Sequence, residues 1–432
     1  MRKQSPRDAA KMIKHGWVVT LSGTGVNLAL GVLYTWSVIS GAIPDSWGWS
    51  QADKALPYSI ACFVFALAMI PAGRLQDKIG PRWVVTIGGV LTGIGCIVAS
   101  LAGSSLAGFV IGFGLLAGIG IGFGYAAATP AAVKWFPGSR TGMIAGLVVA
   151  GFGLASVYIA PLASALLKSF AVEHGGVREM GVSSTMMVFG IAFLIVVVLL
   201  AQLIRNPPEG YNPEERPVKE TKAKGSVPAA ASLDMNWKAM MKRPQFWVLW
   251  LMYACGAATG LMLIGIAKKL GTLSLREAAF FVVVVLAVGN AGGRILSGIV
   301  SDKIGRQWTM FGAFMLQALM VTTLIFVQDN AIALLLIILV AGANYGANLT
   351  LFPSATKDYF GMKNFGMNYG IMFTAWGVGG LVLPRVNGMI IDATGNSNIS
   401  FIVAGSLMIF AAALTFVSRS IVKKPKTQGA AE

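Results

Sequence analysis

Histidine and cysteine are nearly missing from this chain: 432 residues hold two of the first and three of the second. His15 and His174 both fall outside the apolar stretches, with no acid–base pair beside them, so the reading is that the protein is not an enzyme. Cys62, Cys96 and Cys255 lie far apart inside apolar segments, away from metal-ligand spacing. That excludes a disulfide framework and a zinc site, and no metal or cofactor is expected. Charge is scarce too, at 12% of residues against the roughly 25% of a soluble domain. Acidic residues are the rarest charged ones, 17 against 34 Lys plus Arg, and none falls near mid-depth of any apolar stretch.

What fills the chain is apolar: 56% of residues are hydrophobic and the mean hydropathy is +0.71. About 20 apolar residues cross the hydrocarbon of a bilayer. Twelve such stretches occur, at roughly 16–40, 55–73, 83–102, 106–133, 141–167, 182–204, 245–267, 276–301, 308–327, 331–356, 365–391 and 398–419. An all-α integral membrane protein follows, with both termini on one side. Cytoplasmic loops are enriched in basic residues. With the N-terminus inside, the outer loops hold only Lys54, Lys168, Arg178, Lys268, Lys269 and Arg276 of the 34 basic residues. This predicts cytoplasmic termini and a multi-pass protein of the cell inner (cytoplasmic) membrane. The net charge of +17, spread over short inner loops, reads anionic lipid and not nucleic acid. The N-terminal MRKQSPRDAAKMIKHGW precedes an apolar run too long for a signal peptide, and is read as leading into an uncleaved first helix.

A repeat divides the chain. GRLQDKIGPRW at 73–83 returns as GIVSDKIGRQW at 298–308, pairing Gly73/Gly298, Asp77/Asp302, Lys78/Lys303, Gly80/Gly305 and Trp83/Trp308 at one offset of 225. Pro130/Pro353, Lys134/Lys357 and Pro161/Pro384 repeat at an offset of 223. Two six-helix bundles running in the same sense are the pattern of a carrier that rocks about a central site. Residues 1–204 form the first bundle and 244–432 the second. The Pro-rich, charged segment 205–243 between them reads as a cytoplasmic linker ending in a short interfacial helix, with Ser232 or Asp234 as N-cap and Trp237, Met240 and Met241 toward lipid.

Arg294 sits inside the apolar run AAFFVVVVLAVGNAGGRILSGIVS. A guanidinium there costs about 2.5–3.5 kcal/mol on insertion scales, so it is retained where a wet cavity or an anion meets it. Asn290, one helical turn earlier on the same face, is a neutral neighbour and not a neutralising acid. The charge is left for an anionic ligand. Tyr125 and Tyr345 fall at similar depth in the fourth and tenth stretches, where a phenol can both wall a cavity and donate to a carboxylate. Asn27, Tyr34, Asn344, Asn348 and Tyr369 are further polar candidates at mid-depth, a place where polar side chains also glue helices together. Arg385 stands near the outer end of the eleventh stretch, either snorkelling to the interface or forming an outer gate. The glycines from Gly112 to Gly124 imitate a phosphate loop but follow no strand, so close helix packing accounts for them.

GRLQDKIGPR resembles the signature loop of the major facilitator superfamily, and its copy after the eighth stretch is similar to the second-half copy of that family. NAGGRILSGIVSDKIGR, YAAATPAAVKWFP, TLFPSATKDYFG, NYG and the PPEGY of the linker together resemble the oxalate/formate antiporter group and its relatives, the monocarboxylate transporters. The resemblance covers the whole chain. It implies two bundles that alternate access to a carboxylate site between them, and a loop latch formed by Asp77, Arg82, Asp302 and Arg306. Two departures bear on the substrate. Asn290 stands where animal monocarboxylate transporters carry Asp, and Trp376 stands where oxalate carriers carry a second cation, Lys. A second carboxylate near a cation gains roughly 4 kcal/mol at an effective dielectric near 20. One central cation and an indole therefore point to a small monocarboxylate, lactate- or pyruvate-like. The monocarboxylate resemblance implies a proton as partner, and a monomeric carrier is expected. An oxalate:formate exchanger is the alternative within the class, and a transport-inactive carboxylate sensor the alternative outside it.

Overall fold

The computed structural model describes residues 6–137, 140–174, 177–208, 211, 234–361 and 364–422. Among them run twelve long helices. The first six are α1 (Pro6–Leu30), α2 (Gln51–Ile79), α3 (Pro81–Leu101), α4 (Leu106–Val133), α5 (Thr141–Ser169) and α6 (Val182–Ala201). The second six are α7 (Pro244–Leu270), α8 (Phe280–Ile304), α9 (Arg306–Val327), α10 (Ala331–Phe360), α11 (Phe365–Thr394) and α12 (Asn398–Val422). Each expected apolar stretch overlaps one of them. Helices are the outcome because lipid offers no partner to a backbone N–H or C=O, which must then be satisfied within the segment.

By length and apolarity, ten segments of the described residues qualify as membrane spans; one of these, Pro244–Ile304, contains both α7 and α8. The thirty-residue α11 is not among the ten, since Asn368, Arg385 and Asn387 dilute its apolar character. Three details differ from expectation. The first stretch is not one helix: it tightens into a 3-10 turn at Gly31–Thr35 and resumes as Trp36–Ser40. A small antiparallel hairpin, β1 (Val172–His174) with β2 (Val177–Glu179), joins α5 to α6. The short helix before α7 is Trp237–Met241, capped by Asn236, whose side chain accepts from Ala239 N at 2.9 Å. Asp234 is therefore not the cap, and Ser232 lies outside the described residues. Met240 is fully buried against protein, not turned to lipid, while Trp237 stays partly exposed.

The internal repeat has a backbone cause. Gly80 and Gly305 turn α2 into α3 and α8 into α9 with φ of 84° and 90°, in a region that side-chain-bearing residues avoid. Within the first six helices α1 packs on α5 and α3 on α6; within the second, α8 packs on α10 and α9 on α12. The two sets meet along α2–α11 and α5–α8.

Glycine permits the tightest of these contacts. A methyl group at Gly293 would collide with the Ala343 carbonyl of α10, and one at Gly346 with the Asn290 carbonyl of α8, so the two backbones interlock through small residues. Next door, Gly292 meets nothing within 4 Å. Gly293→Ala should therefore lower the thermal unfolding temperature in detergent, at an overpacking cost of about 1–3 kcal/mol. Gly292→Ala should leave it equal or higher. Equal melting of the two variants would contradict the interlock.

Candidate functional site

The α8–α10 interlock aims the residues that matter. Gly289 and Gly293 face α10, so Asn290 and Arg294, each one step of about 100° further round α8, point toward α5. Both are buried, Arg294 with 8% of its surface exposed and Asn290 with none. Arg294 Nε donates to Asn290 Oδ1 at 3.2 Å, and Nη1 donates across the seam to the Val149 carbonyl of α5 at 2.9 Å. No carboxylate among the described residues pairs with this guanidinium. Among the described residues its Nη2 and the Asn290 Nδ2 are buried donors with no well-aligned acceptor, although the Tyr125 hydroxyl interacts with the guanidinium.

Around this cation stands a wall of rings from both halves. The 3-10 turn of the first stretch carries Tyr34, whose ring meets Phe152 of α5 edge-on at 4.9 Å. Its hydroxyl lies 2.7 Å from that of Tyr345 on α10, and Trp376 Nε1 of α11 donates to the same Tyr345 oxygen at 2.8 Å. Three protons and two bonds leave one phenolic O–H of this trio free to donate. Tyr125 of α4 faces the guanidinium and packs edge-on against Phe65 at 5.4 Å and Phe152 at 5.3 Å. Phe373 stacks on Trp376 at 5.0 Å and meets Tyr369 at 5.8 Å, and the Tyr369 hydroxyl lies 3.5 Å from that of Tyr253.

The fold thus gathers Arg294, Asn290, Tyr125, Tyr345, Trp376, Tyr34 and Tyr369 into one neighbourhood. Asn27 is used otherwise: its Nδ2 donates to the Val148 carbonyl at 2.8 Å and ties α1 to α5. Asn348 packs against Gly256 of α7, and Asn344 is buried on α10. Phe65, Phe152 and Phe373 were not legible in the sequence, because a phenylalanine in an apolar span carries no signal of which way it faces. Nor was the Val149 carbonyl, which has no side-chain signature at all.

Outside the centre, Arg385 is not a snorkelling side chain. It lies 3.5 Å from Asp53 and donates to the Ala52 carbonyl, both at the start of α2. Asp392, a residue not singled out from sequence, accepts from Gln51 N at 2.7 Å and Ala52 N at 2.9 Å, capping α2 from the end of α11. Lys168 pairs with Glu277 at 2.7 Å, joining the α5 and α8 sides at the same end. The two halves are therefore tied at the end that the basic-residue asymmetry assigns to the outside.

At the opposite end the repeated loops differ. Arg306 bridges Asp302 at 2.9 Å and Asp358 of α10 at 3.3 Å. Arg82 instead donates to Gln202, the residue just past α6, with Nε at 2.7 Å, and Asp77 is exposed in the last turn of α2. A carboxylate there sits at the negative end of its own helix, so a stabilising partner has to come from elsewhere.

Comparison with known proteins agrees with this geometry. The family model described as Major Facilitator Superfamily matches residues 23–294 and 253–432. The oxalate:formate antiporter of Oxalobacter formigenes is 30% identical, over 80% of this chain and 77% of that protein. Monocarboxylate transporter 11 of Homo sapiens is 26% identical, over 91% of this chain and 81% of that protein. A solved bacterial homologue of the human lysosomal transporter Spinster, in an inward-facing conformation, has the same fold. It superposes with a TM-score of 0.68 at 18% identity, over 96% of this chain and 99% of that one.

Proposed function

Because the chain belongs to the major facilitator superfamily, in the group of the oxalate/formate antiporters and monocarboxylate transporters, we propose that it is a secondary carrier of a small monocarboxylate such as lactate or pyruvate. The observation that carries this reading is the guanidinium of Arg294, buried at the seam of the two halves, with no carboxylate paired to it among the described residues and no well-aligned acceptor for Nη2. A carboxylate accepts from Arg294 Nη2 and Asn290 Nδ2, and the spare O–H of the Tyr34–Tyr345–Trp376 trio donates to it. Tyr125, Tyr369 and the indole of Trp376 enclose the short hydrocarbon part.

Trp376 supports a monoanion over oxalate. An indole N–H spent on Tyr345 offers no charge to a second carboxylate, and leaving that carboxylate unpaired in a dry site forfeits most of its electrostatic gain. Neutralising Arg294 removes the cost of moving a buried charge, and the halves then rock. In this scheme Asp392, Arg385 and Asp53 form the outer gate. Asp77 and Arg82, with Asp302 and Arg306, form the inner latch, which reorganises as the halves separate. A proton accompanies the anion; since mid-depth holds no acid and the substrate stays ionised to neutralise Arg294, it rides on water or a peripheral carboxylate. The carrier works as a monomer in the cytoplasmic membrane with both termini inside.

The test is uptake of labelled lactate, pyruvate, formate and oxalate by proteoliposomes, with and without an inward acid gradient. Acid outside should speed lactate entry several-fold with oxalate a poor substrate. Stimulation of oxalate uptake only by preloaded formate would replace this reading with anion exchange, the activity named for the Oxalobacter relative. Binding of lactate without flux would mark a sensor instead.

A further inference from the structure

Arg74 and Lys78 stand one turn apart in the last two turns of α2, both exposed. Among the described residues neither has a carboxylate at salt-bridge distance, and Asp77 between them pairs with neither. The internal repeat does not account for both cations. At the offset of 225 Lys78 returns as Lys303, but Arg74 falls on Ile299, so the second half does without the second charge. The two cations stand at the mouth of a groove of about 310 Å³ between α2 and α4. The rest of its lining is apolar: Ile70, Pro71, Leu75 and Phe123. The groove opens toward lipid, because Leu67, Pro71, Arg74 and Lys78 form one exposed stripe along α2, and Leu115 on the neighbouring α4 is exposed as well.

We infer that this groove binds one anionic phospholipid of the inner leaflet, with its phosphate on Arg74 and Lys78 and an acyl chain along Ile70, Leu75 and Phe123. Depth supports the assignment. The 29 residues of α2 make a helix about 43 Å long, the thickness of a bilayer with its headgroups. Arg74 and Lys78, close to its inner end, therefore stand at headgroup level. Ile70 and Phe123 lie nine and ten residues before the inner ends of their helices, roughly 15 Å deep and among acyl chains. Chemistry supports it too. A guanidinium pairs with two phosphate oxygens at once, an ammonium adds a point charge, and neither is spent on the protein. A free phosphate would leave the apolar floor unused, whereas a lipid covers both parts of the groove.

Native mass spectrometry of the full chain in detergent, titrated with dioleoyl phosphatidylglycerol, tests this. One phosphatidylglycerol should bind in preference to dioleoyl phosphatidylcholine. Arg74→Gln with Lys78→Gln should weaken it about thirtyfold, at about fivefold for each cation near a membrane surface. Lys238→Gln with Lys242→Gln removes the same charge from exposed positions outside the groove and should leave the affinity unchanged. Phe123→Ala keeps both cations but removes the floor, and should weaken phosphatidylglycerol several-fold. Phosphatidylglycerol should also raise the unfolding temperature of the native chain and not that of the Arg74/Lys78 double variant. Without lipid those two should melt alike, since both side chains are exposed; if the variant melts lower, the Phe123→Ala affinity decides. Equal affinity for phosphatidylcholine, or equal loss in the Lys238/Lys242 control, would reduce the effect to diffuse charge and overturn the site. Glycerol phosphate, a headgroup without chains, should not displace the lipid at equal concentration; if it does, the groove takes a free phosphate and the lipid assignment falls.

Discussion

Replacing Arg294 by Lys should cut carboxylate uptake about a hundredfold, although the charge is kept. The guanidinium faces three ways at once: Nε holds Asn290, Nη1 holds the Val149 carbonyl across the seam, and Nη2 is left without a well-aligned acceptor among the described residues. An ammonium is a point donor on a flexible stem and cannot reproduce that planar fork. Each hydrogen bond to a charged group contributes about 1.5–3 kcal/mol, and losing the fork removes one from the ligand and loosens the orientation of another. Initial rates at fixed lactate, with thermal unfolding as a check on folding, measure the loss. Uptake equal to that of the native chain would remove Arg294 from the site.

That this residue could be found without coordinates, while Phe65 could not, has a physical reason. A charge in a membrane span is expensive, so its retention is informative on its own. An aromatic ring in the same span is ordinary, and its role depends on which helix face meets which neighbour. Phe65, Phe152 and Phe373 become a wall only because α2, α5 and α11 converge there. Trp376 was legible in a third way, through resemblance, as an indole where relatives in the oxalate group carry Lys.

The architecture was more legible than the site. Bilayer thickness forces long apolar runs, and Gly80 and Gly305 hold backbone conformations that fix the repeated loop motif. The exceptions are local contests of small energy. Asn236 won the cap over Asp234, a choice among residues of nearly equal capping strength. The hairpin between α5 and α6 is three residues per strand, too short to carry a periodic signal. The tightened turn at Gly31–Thr35 packs closely on α5: a side chain at Gly31 would collide with the Ala155 methyl and the Phe152 carbonyl.

Removing the Asp392 carboxylate should release the outer end. In Asp392→Ala two charge-assisted bonds to the first amides of α2 are lost, and with them the favourable placement of an anion at a helix N-terminus. Asp392 is exposed, so water recovers part of that loss, and a net cost of about 1–2 kcal/mol corresponds to a shift of roughly five- to thirtyfold between closed and open outer ends. Cys62 reports it. This thiol is fully buried at the α2–α11 seam, where a Cβ on Gly380 would stand 2.6 Å from its own Cβ. With Cys96 and Cys255 changed to Ser, a membrane-impermeant maleimide should label Cys62 faster in Asp392→Ala by about that factor. Arg385→Gln, which unpairs Asp53 by a separate route, should raise the rate in the same direction. Lactate at saturating concentration should change the labelling rate if rocking follows charge neutralisation at Arg294, since a ligand that binds both arrangements equally shifts neither. Labelling at the native rate in both variants would mean that these contacts decorate the outer end without holding it shut.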